Sequence, residues 1–161
     1  MDIGIFKRTT FIVNDARQSA AFYTSVFGWK VWYDNVLEAD YRFPPSGAED
    51  KAKVHLIILQ AQDPKLGKLG LLQYLEPPFD TTIKQNRTSV GIGETILVIE
   101  SKDIEGVHQR AMDAGANIVS APVDWHVPGP SDGSSIHLRT VSFFDPNGIY
   151  MEVSDHPSRK D

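Results

Sequence analysis

Cysteine is absent from the 161 residues. That one gap excludes a disulfide scaffold, a thiolate metal site and a cysteine nucleophile. No apolar run reaches the roughly 18 residues needed to cross a bilayer, and residues 1–8 lack the apolar core of a secretory signal. A cytoplasmic location without membrane association is therefore expected. Basic residues are also short: 16 Lys and Arg stand against 21 Asp and Glu, a formal charge of −5. Nucleic-acid binding depends on neutralising phosphates, so no nucleic-acid partner is expected. Gly91-Ile92-Gly93 leads into a strand pattern and not a helix, which sets aside a dinucleotide fingerprint or phosphate loop. No serine sits on a nucleophile elbow.

What is present is an ordinary globular mixture, 41% apolar and 23% charged, which argues against wholesale disorder. The length suits one domain, or two small modules sharing a core. Two helix signals stand out. Asp15 is placed to cap, Gln18 follows three residues later, and Ala16, Ala20, Tyr23, Val26 and Phe27 recur at helical spacing before Gly28. Asp103 begins the second, with Ile104, Val107, Ala111 and Ala114 as its stripe and Gly115 as its stop. A β-branched run precedes each helix, at 9–13 and 95–99. Strand patterns follow each one: 29–33, 54–59 and 69–75 after the first, 116–119, 136–144 and 149–153 after the second.

The spacing exposes a repeat. Asp15 and Asp103 lie 88 residues apart, Gly28 and Gly115 lie 87 apart, and matching Gln73 to Glu152 gives 79. The first copy then carries about eight extra residues, which fit the loop candidates 44–47 and 62–68. The chain reads as α+β, a tandem duplication of βαβββ modules forming a curved mixed sheet around a central cleft. The expected modules are 1–78 and 94–155, joined by a linker at 79–93 and followed by a frayed tail at 156–161.

Four segments carry a family resemblance: Phe11-Ile12-Val13-Asn14-Asp15; the stretch 19–29 ending Val26-Phe27-Gly28-Trp29; Ala111-Met112-Asp113-Ala114-Gly115-Ala116; and Phe144-Asp145-Pro146-Asn147-Gly148, continued by Ile149-Tyr150-Met151-Glu152-Val153. The last is the most specific, because Asp-Pro-Asn-Gly suits a type I turn. With these the chain resembles the vicinal oxygen chelate superfamily, the glyoxalase, bleomycin-resistance and extradiol-dioxygenase fold. In metal-dependent members a divalent ion is held by a His near the start of each module's first strand and a carboxylate on each last strand. Carried over, those positions fall on Arg8, Gln73, Thr95 or Ile96, and Glu152. Only Glu152 matches. A guanidinium offers donors only and repels a cation, and an amide oxygen is a weak ligand. No metal and no other cofactor is therefore expected. Other registers leave a recruited metal open through His55, His137 or Glu94. Against this, His55 and His137 equally suit simple hydrogen bonding along a sheet face.

Strand alternation groups the remaining candidates. Tyr150 and Ser154 share parity with Glu152, Leu71 and Leu75 with Gln73, and Thr10 and Ile12 with Arg8. Arg8 is the natural anchor for an anion, with Thr10, Gln73 and Tyr150 as further substrate contacts. Glu152 is the candidate catalytic base, although Arg8 and Glu152 alternatively pair with each other. The stretch 124–130 reads as a loop, either a lid presenting Trp125 and His126 to a ligand or a closure for the sheet end. Trp32 and Tyr33 are expected in the core or at the module interface. The resemblance lies nearest the bleomycin-resistance branch, whose members sequester drugs without metal and form homodimers. It implies a small-molecule ligand and a homodimer. The alternative is a lyase, isomerase or dioxygenase of the same superfamily, using Glu152 as base or a recruited divalent metal.

Overall fold

A computed structural model describes residues 6–40, 43–44, 51–76 and 87–157. Both helices begin and end where local chemistry places them. The Asp15 carboxylate accepts the Gln18 N–H at 2.8 Å, and α1 (Ala16–Phe27) stops at Gly28, whose φ of 69° is left-handed. The Asp103 carboxylate accepts the Gly106 N–H at 3.1 Å and starts α2 (Ile104–Asp113), with Gly115 left-handed just beyond it. Of the expected inward stripes Ala16, Ala20, Tyr23, Val26, Ile104, Val107 and Ala111 are buried, whereas Phe27 and Ala114, the latter just past the end of α2, are half-buried.

In chain order the elements are β1 (Arg8–Ile12), α1, β2 (Lys30–Glu38), β3 (Lys53–Gln60), β4 (Lys68–Tyr74), β5 (Ile96–Glu100), α2, β6 (Asn117–Pro128), β7 (Ser135–Phe144) and β8 (Tyr150–Asp155). This is βαβββ twice. The chain divides into two compact units, Met1–Thr82 and Ile83–Asp161. Each contains one four-stranded mixed sheet, ordered β1-β4-β3-β2 in the first and β5-β8-β7-β6 in the second. In both, the first strand runs parallel to the last, and the remaining pairs are antiparallel. The expected loop residues 45–47, most of the linker and the tail beyond 157 lie outside the described residues.

Each sheet has a helix-bearing face and a helix-free face, and pleating decides which side chains go where. In the first unit the Gln73 side chain reaches the backbone of α1, so Leu69 and Leu71 face the helix with it. Phe11, Ile57 and Leu59 join them across the ladders, all buried. Arg8, Thr10, Lys68 and Gly70 face the other way. Further along that face Leu72 and Tyr74 pack with Ala39 and Val54 in a buried cluster. In the second unit Arg139 reaches Glu105 of α2, setting the helix side, which it shares with the fully buried Val141, Phe143, Met151 and Val153. Thr140, Ser142, Tyr150, Glu152 and Ser154 lie on the helix-free face.

Two sequence expectations change. The segment 124–128 is not a loop but the end of β6, paired with β7 through Pro128↔Ser135. Pro122 and Pro128 disguise it. An edge strand tolerates proline because its outward N–H is not needed, and register shifts between Ile118 and Val123 accommodate the first of them. Trp32 is not in the core: a register shift between Val31 and Tyr33 takes it out of the ladder, and it is 57% exposed.

Candidate functional site

The helix-free face of the second unit carries a directed file of polar groups. The Trp125 indole N–H donates to Thr140 Oγ1 at 2.8 Å. Thr140 and Ser154 hydroxyls lie 3.2 Å apart. Ser154 Oγ then donates to Glu152 Oε1 at 3.4 Å. An indole can only donate and an ionised carboxylate can only accept, so the two ends fix the direction of the hydroxyl protons between them. Thr140 and Ser154 are buried, whereas Glu152 is half-buried.

Apolar surface surrounds this file. Val98 pairs with Glu152 across β5 and β8 and is 72% exposed; Ile96, beside Tyr150, is 45% exposed. Trp125 projects at the other end, and Tyr150 packs edge-on against Phe144 at 5.2 Å between ring centroids. Among the described residues of its unit, Glu152 forms no ion pair.

The structure separates the remaining candidates. Glu152, Tyr150 and Trp125 share one face of the second unit; Arg8 and Thr10 share the corresponding face of the first. Gln73 belongs to neither group. Its Oε1 accepts the Ala16 N–H at 3.0 Å, so it caps α1 from the helix side of the sheet. His126 also leaves the group: it projects opposite to Trp125 and stacks on His137 at 4.8 Å between ring centroids. Alternation along β6 forces that separation, which a loop reading of the segment concealed.

The three alternative metal donors are each engaged elsewhere. His55 Nε2 lies 2.5 Å from Asp34 Oδ1, and His137 Nε2 lies 3.0 Å from Asp124 Oδ1. Both contacts are cross-strand and on helix-bearing faces. Each histidine sits opposite the residue two beyond its aspartate, Val36 for His55 and His126 for His137. Glu94 pairs with Arg87 and accepts the Gly91 N–H at 3.0 Å. Among the described residues no group of three His, Asp or Glu side chains could hold a metal ion.

Three carboxylates and guanidiniums outside the face are tied to structure. Hydrogen bonds from the Arg110 side chain and the Gly106 amide hold the Asp103 carboxyl below the usual aspartate value. Amides of Lys65 and Leu66 do the same for Asp63. Arg139 bridges Glu105 and Asp124, and its hydrogen bond to Glu105 raises its already high value.

The chain matches one family model, described as the glyoxalase/bleomycin resistance protein/dioxygenase superfamily, over residues 5–153. The chain belongs to that superfamily. Solved structures agree on the fold. A glyoxalase family protein from Bacillus cereus is 16% identical, with a TM-score of 0.72, and the match covers 96% of this chain and 95% of that one. The trypanothione-dependent glyoxalase I of Leishmania major is 16% identical with a TM-score of 0.59, covering 97% and 89%. An integron cassette protein from Vibrio cholerae is 19% identical at 0.53, covering 97% and 98%. No curated protein matches the chain. No helix among the described residues is long and apolar enough to cross a membrane.

Superfamily membership raises the question of a metal, and the donor chemistry answers it. Of the positions to which the resemblance assigns ligands, Arg8 is a cation, Gln73 faces α1, and the third is either Thr95, a neutral hydroxyl, or Ile96, an aliphatic chain. Glu152 alone offers an oxygen anion. That set does not fit a divalent centre, which needs several convergent neutral or anionic donors.

Proposed function

We propose that this superfamily member binds a small organic molecule without a metal, on the helix-free face that carries Glu152. The polar file from Trp125 to Glu152 is the observation that supports it. A half-buried carboxylate, fixed by a donor and ringed by exposed aliphatic and aromatic side chains, is the composition of a ligand site: apolar walls with a few placed polar groups. Binding of this kind needs shape and convergent polar atoms only. Tyr150 and Trp125, on the same face of the second unit as Glu152, complete the proposed contacts. The protein is further proposed to act as a cytoplasmic homodimer; a single species of monomer mass in light scattering would overturn the dimer.

The test is a thermal-shift screen of small organic compounds against the wild type, Glu152→Gln and Arg8→Ala. A ligand present at a hundred times its Kd stabilises the folded state by about 2.7 kcal/mol, which is a shift of several degrees for a chain of this size. The reading expects hits whose shift shrinks in Glu152→Gln. A screen in which every hit stabilises Glu152→Gln as well as the wild type would remove it.

The arrangement around Glu152 also supports a second reading, proton abstraction beside a carbonyl. The carboxylate is oriented by Ser154 and has no basic partner in its unit, as a general base requires. Incorporation of solvent deuterium into a ketone or hemithioacetal, lost in Glu152→Gln, is the expected signature. Its absence across such compounds leaves binding alone.

A further inference from the structure

The helix-free face of the first unit holds a cation that nothing so far explains. Lys68 opens β4 and is only 8% exposed. Its Nζ donates to the Pro64 carbonyl at 2.6 Å and lies 4.4 Å from the centre of the Trp32 ring. Directly opposite in the parallel β1–β4 ladder stands Arg8, so two like charges share one side of adjacent strands. The two repel each other, and the repulsion is relieved by solvent at the exposed Arg8 but not at the buried Lys68. Burying an ammonium calls for a compensating anion.

Among the described residues neither cation has a carboxylate partner. Asp63 is near enough for Lys68 to help lower its pKa. Its Oδ1, however, is taken by the amides of Lys65 at 2.6 Å and Leu66 at 2.9 Å, and it makes no ion pair with Lys68. Lys68 has three donors, one of which is spent on Pro64. Trp32 meanwhile is pushed out of its ladder by the register shift and presents more than half its surface to solvent. An exposed indole against a buried ammonium, with a planar guanidinium opposite that lysine on the next strand, suits one kind of molecule, an aromatic ring bearing an anionic group.

We infer that Lys68, Arg8 and Trp32 form an anchor for an aromatic carboxylate. Arg8 engages the carboxylate through its planar fork, Lys68 neutralises it as a point charge, and Trp32 covers the ring. This rests on the reading that the chain binds a small organic molecule, and adds to it a site on the first unit with its own class of ligand. Gly70, next on that face of β4, contributes no side chain, and Thr10 occupies the space above it.

The probes are 1-naphthoate, its neutral amide and acetate, titrated by calorimetry into the full chain. Naphthoate is expected to bind, the amide at least tenfold more weakly, and acetate not measurably. Lys68→Gln should weaken naphthoate tenfold or more, and Trp32→Leu should weaken it several-fold. Because Trp32 is exposed, its variant keeps the test decisive even where loss of the buried lysine side chain harms folding, which circular dichroism will report. Equal affinity for acid and amide, or naphthoate binding unchanged in Trp32→Leu, overturns the inference. If naphthoate fails to bind while neutral or cationic compounds bind in a Glu152-dependent way, this anchor falls and the small-molecule reading stands. If nothing binds, both fall.

Discussion

Gly70 occupies in the first unit the position that Glu152 occupies in the second. Thr10 and Val98 lie 88 residues apart, as do the two capping aspartates, and Thr10 pairs with Gly70 where Val98 pairs with Glu152. The two helix-free faces have therefore diverged at their matching point. One carries a carboxylate; the other carries a glycine beneath a threonine.

That glycine is required by its neighbour. A Cβ on Gly70 would lie 2.5 Å from Thr10 Oγ1 and 3.0 Å from Thr10 Cγ2, and a β-branched side chain has few other rotamers to adopt. Gly70→Ala should cost about 1–3 kcal/mol in urea unfolding, the usual range for overpacking. Adding Thr10→Ala should recover part of the loss. Strict additivity of the two substitutions would show that they do not meet.

Local chemistry made the helices readable, since Asp15, Asp103, Gly28 and Gly115 act within one turn of themselves. The repeat was readable for the same reason. The site was less so. Gly70 and Glu152 are 82 residues apart, and so are His55 and His137, whereas the match of Gln73 to Glu152 used 79. An error of three residues, being odd, turns every side chain to the other face, and Gln73 was assigned to ligand when it serves α1. Prolines at 122 and 128 hid the end of β6, and with it the fact that Trp125 and His126 point apart. Nothing in local sequence announces that Trp32 crosses to Lys68, because that contact depends on the register shift in β2.

The new assignment of Gln73 can be checked by replacing it. In Gln73→Ala the Ala16 N–H loses its acceptor, which should cost about 1 kcal/mol. Gln73→Glu keeps an acceptor and adds negative charge at a helix N-terminus, a favourable place for it, and should be neutral or stabilising. Ligand affinity should not change in either. A change of affinity in Gln73→Glu without a change in stability would return Gln73 to the ligand face.

Acid titration probes the start of α2. Bonds from Arg110 and then Gly106 depress the Asp103 carboxyl below 3.8, the ordinary aspartate value. A depressed acid contributes stability that is present above its unfolded value and is lost as pH falls through the lower, folded one. The contribution of Asp103 should therefore disappear below pH 3.8, not near neutrality. Asp103→Asn can still cap but cannot titrate, so its stability should fall less steeply between about pH 5 and pH 2. Parallel curves for the two proteins would contradict the pairing with Arg110.

The polar file makes a prediction that binding alone does not. Thr140 is its middle link, accepting from Trp125 and touching Ser154. Thr140→Val keeps the shape and removes the oxygen, so the indole N–H loses its acceptor while Ser154 can still reach Glu152. The expected cost is about 0.5–1.5 kcal/mol, the usual net worth of one hydrogen bond, because this bond is only partly buried. Because Trp125 is held on the helix-free face by that bond, its release should also shift tryptophan emission and weaken any ligand whose affinity depends on Glu152. Unfolding and fluorescence are measured on the same sample. An unchanged spectrum with unchanged stability would mean that Trp125 is positioned by packing alone, and that the file ends at Thr140.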